Sequence, residues 1–106
     1  MIMNNKYHAK RTWSDLCDRT FDSRAEARRG EELALLKMGG EIQDLQYQPK
    51  FLLSEKPKVT YTADFKYIEE GKVIYEDVKG VLTESTRIKI AWLRQSQGIK
   101  VILIKM

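Results

Sequence analysis

Residues 59–80 read Val59-Thr60-Tyr61-Thr62-Ala63-Asp64-Phe65-Lys66-Tyr67-Ile68-Glu69-Glu70-Gly71-Lys72-Val73-Ile74-Tyr75-Glu76-Asp77-Val78-Lys79-Gly80. Val59, Tyr61, Ala63, Phe65 and Tyr67 alternate with polar residues, the period of a strand with one buried face. Val73, Ile74, Tyr75 and Val78 are β-branched or aromatic and predict a second strand. Glu69-Glu70-Gly71-Lys72 supplies a glycine where a tight hairpin turn needs positive φ. With Glu70 and Gly71 central, Glu69 faces Lys72, Asp64 falls opposite Asp77, and Thr62 opposite Lys79. Asp77 and Lys79 are two apart and share a side of the sheet.

Two aspartates and a lysine therefore converge. Like charges at cross-strand distance repel, so the arrangement has two readings. One is a solvated strand face on which Lys79 pairs with the acids. The other is a divalent metal site. Mg²⁺ takes oxygen ligands, commonly one or two carboxylates with substrate phosphate, and Lys79 could then orient a water or stabilise charge developing on phosphate.

Outward from the hairpin, Ser23-Arg24-Ala25-Glu26 fits a capping box opening a helix that runs to about Met38 and stops at Gly39-Gly40. Leu33 and Leu36, with Ala25 and Arg29, form its expected sheet-facing side. Gly30 inside that helix suggests close approach to the sheet or to DNA. A strand is expected over Leu45–Leu53, at an edge or bulged at Pro49, with Gln48 as a solvent-facing residue or a polar contact at the site's edge. A second helix is expected over Thr83–Gln97, with Ile88, Ala91 and Trp92 as its apolar face, Leu93 at the margin and Trp92 in the core. Val101-Ile102-Leu103-Ile104 predicts a last strand buried on both faces. Thr12–Phe21 predicts a short hairpin or loop. Helix, three strands, helix and strand make an α/β (α+β) domain with a central mixed sheet flanked by helices.

The chain has 106 residues, enough for one domain spanning 1–106 with one modest core. No apolar run approaches a membrane span and no signal-peptide core is present. The single cysteine, Cys17, allows no internal disulfide and suits a reducing, cytoplasmic compartment. Net charge is +4, unevenly placed. Residues 1–11 carry Lys6, Lys10 and Arg11 without an acid, and read as a flexible basic arm. Residues 87–106 carry Arg87, Lys89, Arg94, Lys100 and Lys105, again without an acid. Such asymmetry favours a polyanionic partner over a membrane, although a solvated surface has the same composition.

Asp64 followed by Asp77-Val78-Lys79 resembles the PD-(D/E)XK nuclease superfamily. With Asn5-Lys6-Tyr7, Phe21-Asp22-Ser23, Glu26-Ala27, Gly40-Glu41-Ile42, Leu45, Gln48, Phe51, Ala63-Asp64-Phe65 and Glu76 to Gly80, the chain looks like the small phage-encoded nucleases of that superfamily, which are similar to archaeal Holliday-junction resolvases. The resemblance spans about Asn5 to Ile104. Ala63 stands where the family has proline. The resemblance implies a restriction-endonuclease-like αβββαβ core and a Mg²⁺-dependent endonuclease, with Mn²⁺ able to substitute. Asp64 and Asp77 would be ligands and Lys79 a catalytic residue. It also makes Glu26 a third acidic group of the metal site, where the residues alone offer helix capping. It places substrate contacts at Thr86 and Lys89, which with Lys6, Lys10, Arg11 and Arg87 would hold DNA. The expected substrate is a four-way junction, whose twofold symmetry calls for a homodimer, in a host cytoplasm if the chain is phage-encoded. The alternatives are a nuclease of the same chemistry acting on flaps or duplex, and a non-catalytic DNA-binding module.

Overall fold

The computed structural model describes residues 10–105. The elements are β1 (Thr12–Ser14), β2 (Arg19–Phe21), α1 (Arg24–Met38), β3 (Gln43–Tyr47), β4 (Lys50–Glu55), β5 (Lys58–Thr62), β6 (Phe65–Glu69), β7 (Lys72–Val78), α2 (Glu84–Gln97) and β8 (Val101–Ile104). The fold is α+β. A mixed sheet runs β3-β6-β7-β8, antiparallel except for the parallel pair β7-β8, and two short ribbons, β1-β2 and β4-β5, accompany it.

The β6-β7 turn sets the register. Glu70 (φ 50°) and Gly71 (φ 77°) are both left-handed, as a two-residue type I′ turn requires. Glu69 pairs with Lys72 and Phe65 with Glu76, so Asp64 and Asp77 are the next residues facing one another.

Two strands expected to be continuous are broken at the same level. The Leu45–Leu53 stretch divides at Gln48-Pro49 into β3 and β4, and the Val59–Tyr67 stretch divides at Ala63-Asp64 into β5 and β6. Pro49 has no N–H to donate and Gln48 takes φ 55°. The pairing survives the bend, since Gln48 N–H donates to Asp64 O (2.9 Å) and Ala63 N–H to Pro49 O (3.0 Å). One half of this long hairpin stays in the sheet. The other leans toward α2, where Gln97 Nε2 donates to Leu52 O at 2.9 Å. Thr62 therefore leaves the sheet and does not face Lys79, whose N–H donates instead to Ile104 O of β8 at 3.0 Å.

Each helix closes one core. Beneath α1 lie Phe21, Ala27, Leu33, Ile42, Phe65 and Tyr67. Beneath α2 lie Tyr61, Ala63, Leu93 and Val101. Ser23 caps α1, its Oγ accepting from Glu26 N–H at 3.0 Å. The inner face of α1 is Glu26, Ala27, Gly30 and Leu33, with Leu36 half-buried. Gly30 admits a side chain from the β1-β2 hairpin: a Cβ there would sit 2.6 Å from Phe21 Cζ.

The outward face of α2 differs from expectation. Leu93 is its buried residue, with Ile90 half-buried. Ile88 is 55% and Trp92 37% exposed, and Ala91 is exposed as well. An apolar stripe marks a face without saying which neighbour meets it, and here the β4-β5 side takes Leu93 and Ile90 inward and a hydrogen bond from the exposed Gln97. β8 is an edge strand and not a doubly buried one, with Ile102 at 42% exposure.

Candidate functional site

The bend that breaks the strands also builds the site. At Asp64 the chain is fixed by its own backbone, its N–H donating to Glu76 O (3.0 Å) and its carbonyl accepting from Gln48 N–H (2.9 Å). Past this point β5 turns away from β7, and the Val78 N–H loses a backbone partner on that side. The Asp64 carboxylate takes the vacated place, its Oδ2 accepting from Val78 N–H at 2.7 Å. Local pairing thus directs Asp64 across β7 toward Asp77.

Asp77 is 1% exposed. Its Oδ2 accepts a hydrogen bond from Tyr61 OH and lies 3.6 Å from Lys79 Nζ. At that separation the lysine is a charge neighbour more than a tight donor. With both aspartates ionised, Asp77 Oδ1 is buried and has no hydrogen-bond partner. A buried acceptor left unmatched costs about 1–3 kcal/mol, more when charged, so such an atom needs a reason.

The electrostatics of the pair give one. Burial first, then the hydrogen-bonded contact and charge of Asp77, then the charge of Glu26, push the Asp64 carboxyl up to about 8, against the lowering effect of Val78 N–H. Two carboxyls in one buried site hold a proton between them unless a cation replaces it. Glu26, 6% exposed at the start of α1, is raised to about 7. Burial is the largest cause, followed by Asp22, with Asp77 also raising it and Arg19 and Lys79 opposing. The structure shows half of the capping box, the Ser23 Oγ bond, while the Glu26 carboxylate is linked to Asp77 by charge. No cluster of three or more His, Cys, Asp or Glu residues able to hold a metal ion occurs among the described residues. The nucleus is the aspartate pair.

These residues fit a hard cation. The donors are all oxygen, one of them is buried without a partner, and the local acid excess is only partly met by Lys79.

Of the expected DNA contacts, Lys10 and Arg11 are exposed and Lys6 lies outside the described residues. Thr86 and Lys89 lie half-buried on the inner flank of α2, whereas Arg87 is exposed on the outer flank, so the three do not make one surface. Gln48 is exposed at the bend.

Three partners escaped the sequence reading. Tyr61 reads as core by its alternation with Ala63, and only its hydroxyl, which seeks a partner when buried, signals more. Glu76 is 2% exposed and receives Arg29 through Nε to Oε1 (2.8 Å) and Nη2 to Oε2 (2.7 Å), with Tyr67 OH also donating to it. This cluster pins α1 to β7 one residue from Asp77. Arg19 lies with its guanidinium carbon 4.2 Å from the Tyr47 ring centroid, and its charge reaches Glu26.

A family model described as "Protein of unknown function (DUF1064)" matches residues 4–101. No curated protein and no solved structure matches the chain.

Proposed function

The chain belongs to the DUF1064 family, and we propose that it is a Mg²⁺-dependent DNA endonuclease of the PD-(D/E)XK type, acting on branched DNA as a Holliday-junction resolvase. The observation that carries the proposal is the buried, unpartnered Asp77 Oδ1 beside Asp64, whose carboxyl is raised to about 8. A solvated strand face on which Lys79 pairs with the acids would leave neither feature.

On this reading Asp64 and Asp77 hold the cation, with Glu26 contributing charge from the start of α1. A cation there supplies Lewis acidity to the scissile phosphate and offsets the repulsion between the acids. Tyr61 keeps Asp77 Oδ2 occupied, which leaves Oδ1 free. Lys79, its side chain 32% exposed and 3.6 Å from Asp77, brings an ammonium group to the rim, where it can meet charge developing on phosphate or orient the attacking water. Val78 N–H fixes the Asp64 carboxylate so that the donor set is formed before substrate arrives. The basic residues Lys10, Arg11 and Lys89 would meet the DNA backbone by charge, without reading bases. Paired cuts across a four-way junction call for a homodimer.

The test is a gel assay on a synthetic four-way junction, with Mg²⁺ and with chelator. Paired nicks that need Mg²⁺ and vanish in Asp64→Asn, with junction binding retained, are expected. Cleavage preserved in Asp64→Asn refutes the site. Equal rates on matched linear duplex would keep the chemistry and remove the junction preference. Tight, salt-sensitive binding without any metal-dependent cutting would make the chain a DNA-binding module.

A further inference from the structure

The outer side of α2 carries an apolar surface without an assigned role. Ile88 and Trp92 are exposed on it, and Val81 and Leu82 precede the helix in the same condition. Between this helix and the edge strand β8 lies a cavity of about 580 Å³ lined by Leu82, Arg87, Ile90, Ala91, Arg94 and Leu103, among others. Exposed apolar side chains beside such a cavity suit an interaction site.

The charges on the helix say which partner fits. Directly opposite the core, Glu84, Ile88, Ala91 and Gln95 form one stripe at helical spacing, with Arg87 and Arg94 along its β8 flank. Glu84 opens the helix and Arg94 lies in its last turn. Glu84 is paired only loosely, at 4.0 Å from Arg87, and both side chains are well exposed. Beside Arg87, which already neighbours Glu84, this face carries an acid at one end, a cation at the other and Ile88 and Ala91 between, so an antiparallel copy offers each Glu84 a second cation. A twofold axis crossing the outer face at the level of residue 89 sets Glu84 against Arg94 of the second copy, and Arg94 against its Glu84. Ile88 then meets Ala91 of the other chain, and the small Ala91 allows close helix approach.

We infer that α2 and the adjoining edge of β8 form an isologous interface with a second copy of this chain, two α2 helices packing antiparallel with Glu84 and Arg94 exchanged across the axis. The inference supplies a surface for the homodimer in the proposed function, yet it needs neither DNA nor metal to hold.

The test is sedimentation analysis of the full chain, free of DNA and Mg²⁺, over roughly a hundredfold range of concentration. The variants are Ala91→Glu, Arg94→Glu, and Arg94→Glu combined with Glu84→Arg. All three substitutions fall at exposed positions on a helix whose core contacts they leave alone, and circular dichroism checks the fold. Should Ala91→Glu fold poorly, the Arg94 variants carry the test. A reversible dimer is expected. Its dissociation constant should rise at least about tenfold in Ala91→Glu, which sets an unpaired carboxylate against Ile88 of the second copy, and in Arg94→Glu, where like charges face each other, and the double exchange should restore the latter. A chain monomeric throughout overturns the inference. So does a dimer indifferent to Ala91→Glu and Arg94→Glu, or one that the double exchange fails to restore. Protection of the α2 face by DNA in a monomeric chain assigns the surface to nucleic acid and overturns it too. Failure of the cleavage assay leaves this result standing, and a monomer leaves cleavage chemistry untouched.

Discussion

Replacing Asp64 by Asn should stabilise the metal-free protein at alkaline pH, although the same change is expected to abolish cleavage. The Asp64 carboxyl is raised from an ordinary 3.8 to about 8 by burial and by Asp77. Below about pH 4 the folded and unfolded chains both hold its proton. Between about pH 4 and 8 the unfolded carboxylate is ionised while the folded one keeps its proton. The folded state then binds more protons, and stability falls as pH rises until the folded group ionises near 8. Each pH unit across that window is worth up to about 1.4 kcal/mol, so from about pH 6 to pH 8 the Asp64 contribution falls by up to about 2.7 kcal/mol. Glu26, raised to about 7, acts in the same direction over the lower part of the range. Asn keeps an oxygen to accept from Val78 N–H, a bond of 2.7 Å in the native chain, and carries no charge. In chelator, thermal unfolding of the wild type should drop on the order of 10 °C between those pH values. Asp64→Asn should lose markedly less and melt above the wild type at the higher pH. Parallel curves, or a variant less stable throughout, would refute the claim that the two acids share a buried site.

Other perturbations test the supports of that site. Tyr61→Phe removes the donor to Asp77 Oδ2 while keeping the ring in the core. Cation affinity, followed by Mn²⁺ titration, should weaken about 10- to 100-fold, and an unchanged affinity would make the tyrosine mere filling. Gly30→Ala gains up to about 1 kcal/mol of helix propensity but drives a Cβ to 2.6 Å from the buried Phe21 ring. Overpacking costs about 1–3 kcal/mol, so denaturant unfolding should show net destabilisation, and a stabilised variant would contradict the packing. Arg29→Met strands Glu76, 2% exposed, as a buried charge, at a cost of about 3–5 kcal/mol. Adding Glu76→Gln should recover part of that loss in the same measurement, and equal losses in the single and double variants would argue against a buried ion pair.

The central hairpin was legible because its information is local. Alternation, β-branched residues and one glycine in the turn suffice to put Asp64 opposite Asp77. The ends of α1 were legible for the same reason, Ser23 and Gly39 each acting within a turn of themselves. The bend at Gln48-Pro49 and Ala63-Asp64 was half visible. Pro49 announced a missing donor, but no local rule says that the partner strand must break beside it. The orientation of α2 was not legible. Ile88, Ala91 and Trp92 make as good an apolar stripe as Ile90 and Leu93, and the choice depends on a ribbon distant in sequence. The links from Tyr61 to Asp77 and from Arg29 to Glu76 span 16 and 47 residues, and no spacing rule reaches that far. Glu26 stood between capping and site. Its backbone caps with Ser23 while its carboxylate interacts with Asp77 by charge, so both readings drew on the same residue.

The most direct measurement is calorimetric titration of the metal-free protein with Mn²⁺ near neutral pH, in two buffers of different ionisation heat. Two acids on neighbouring strands sharing one cation predict saturable binding and release of about one proton per ion, because Asp64 enters the titration protonated. Both signals should disappear in Asp77→Asn. Heats that do not saturate, or binding that survives Asp77→Asn undiminished, would contradict the account.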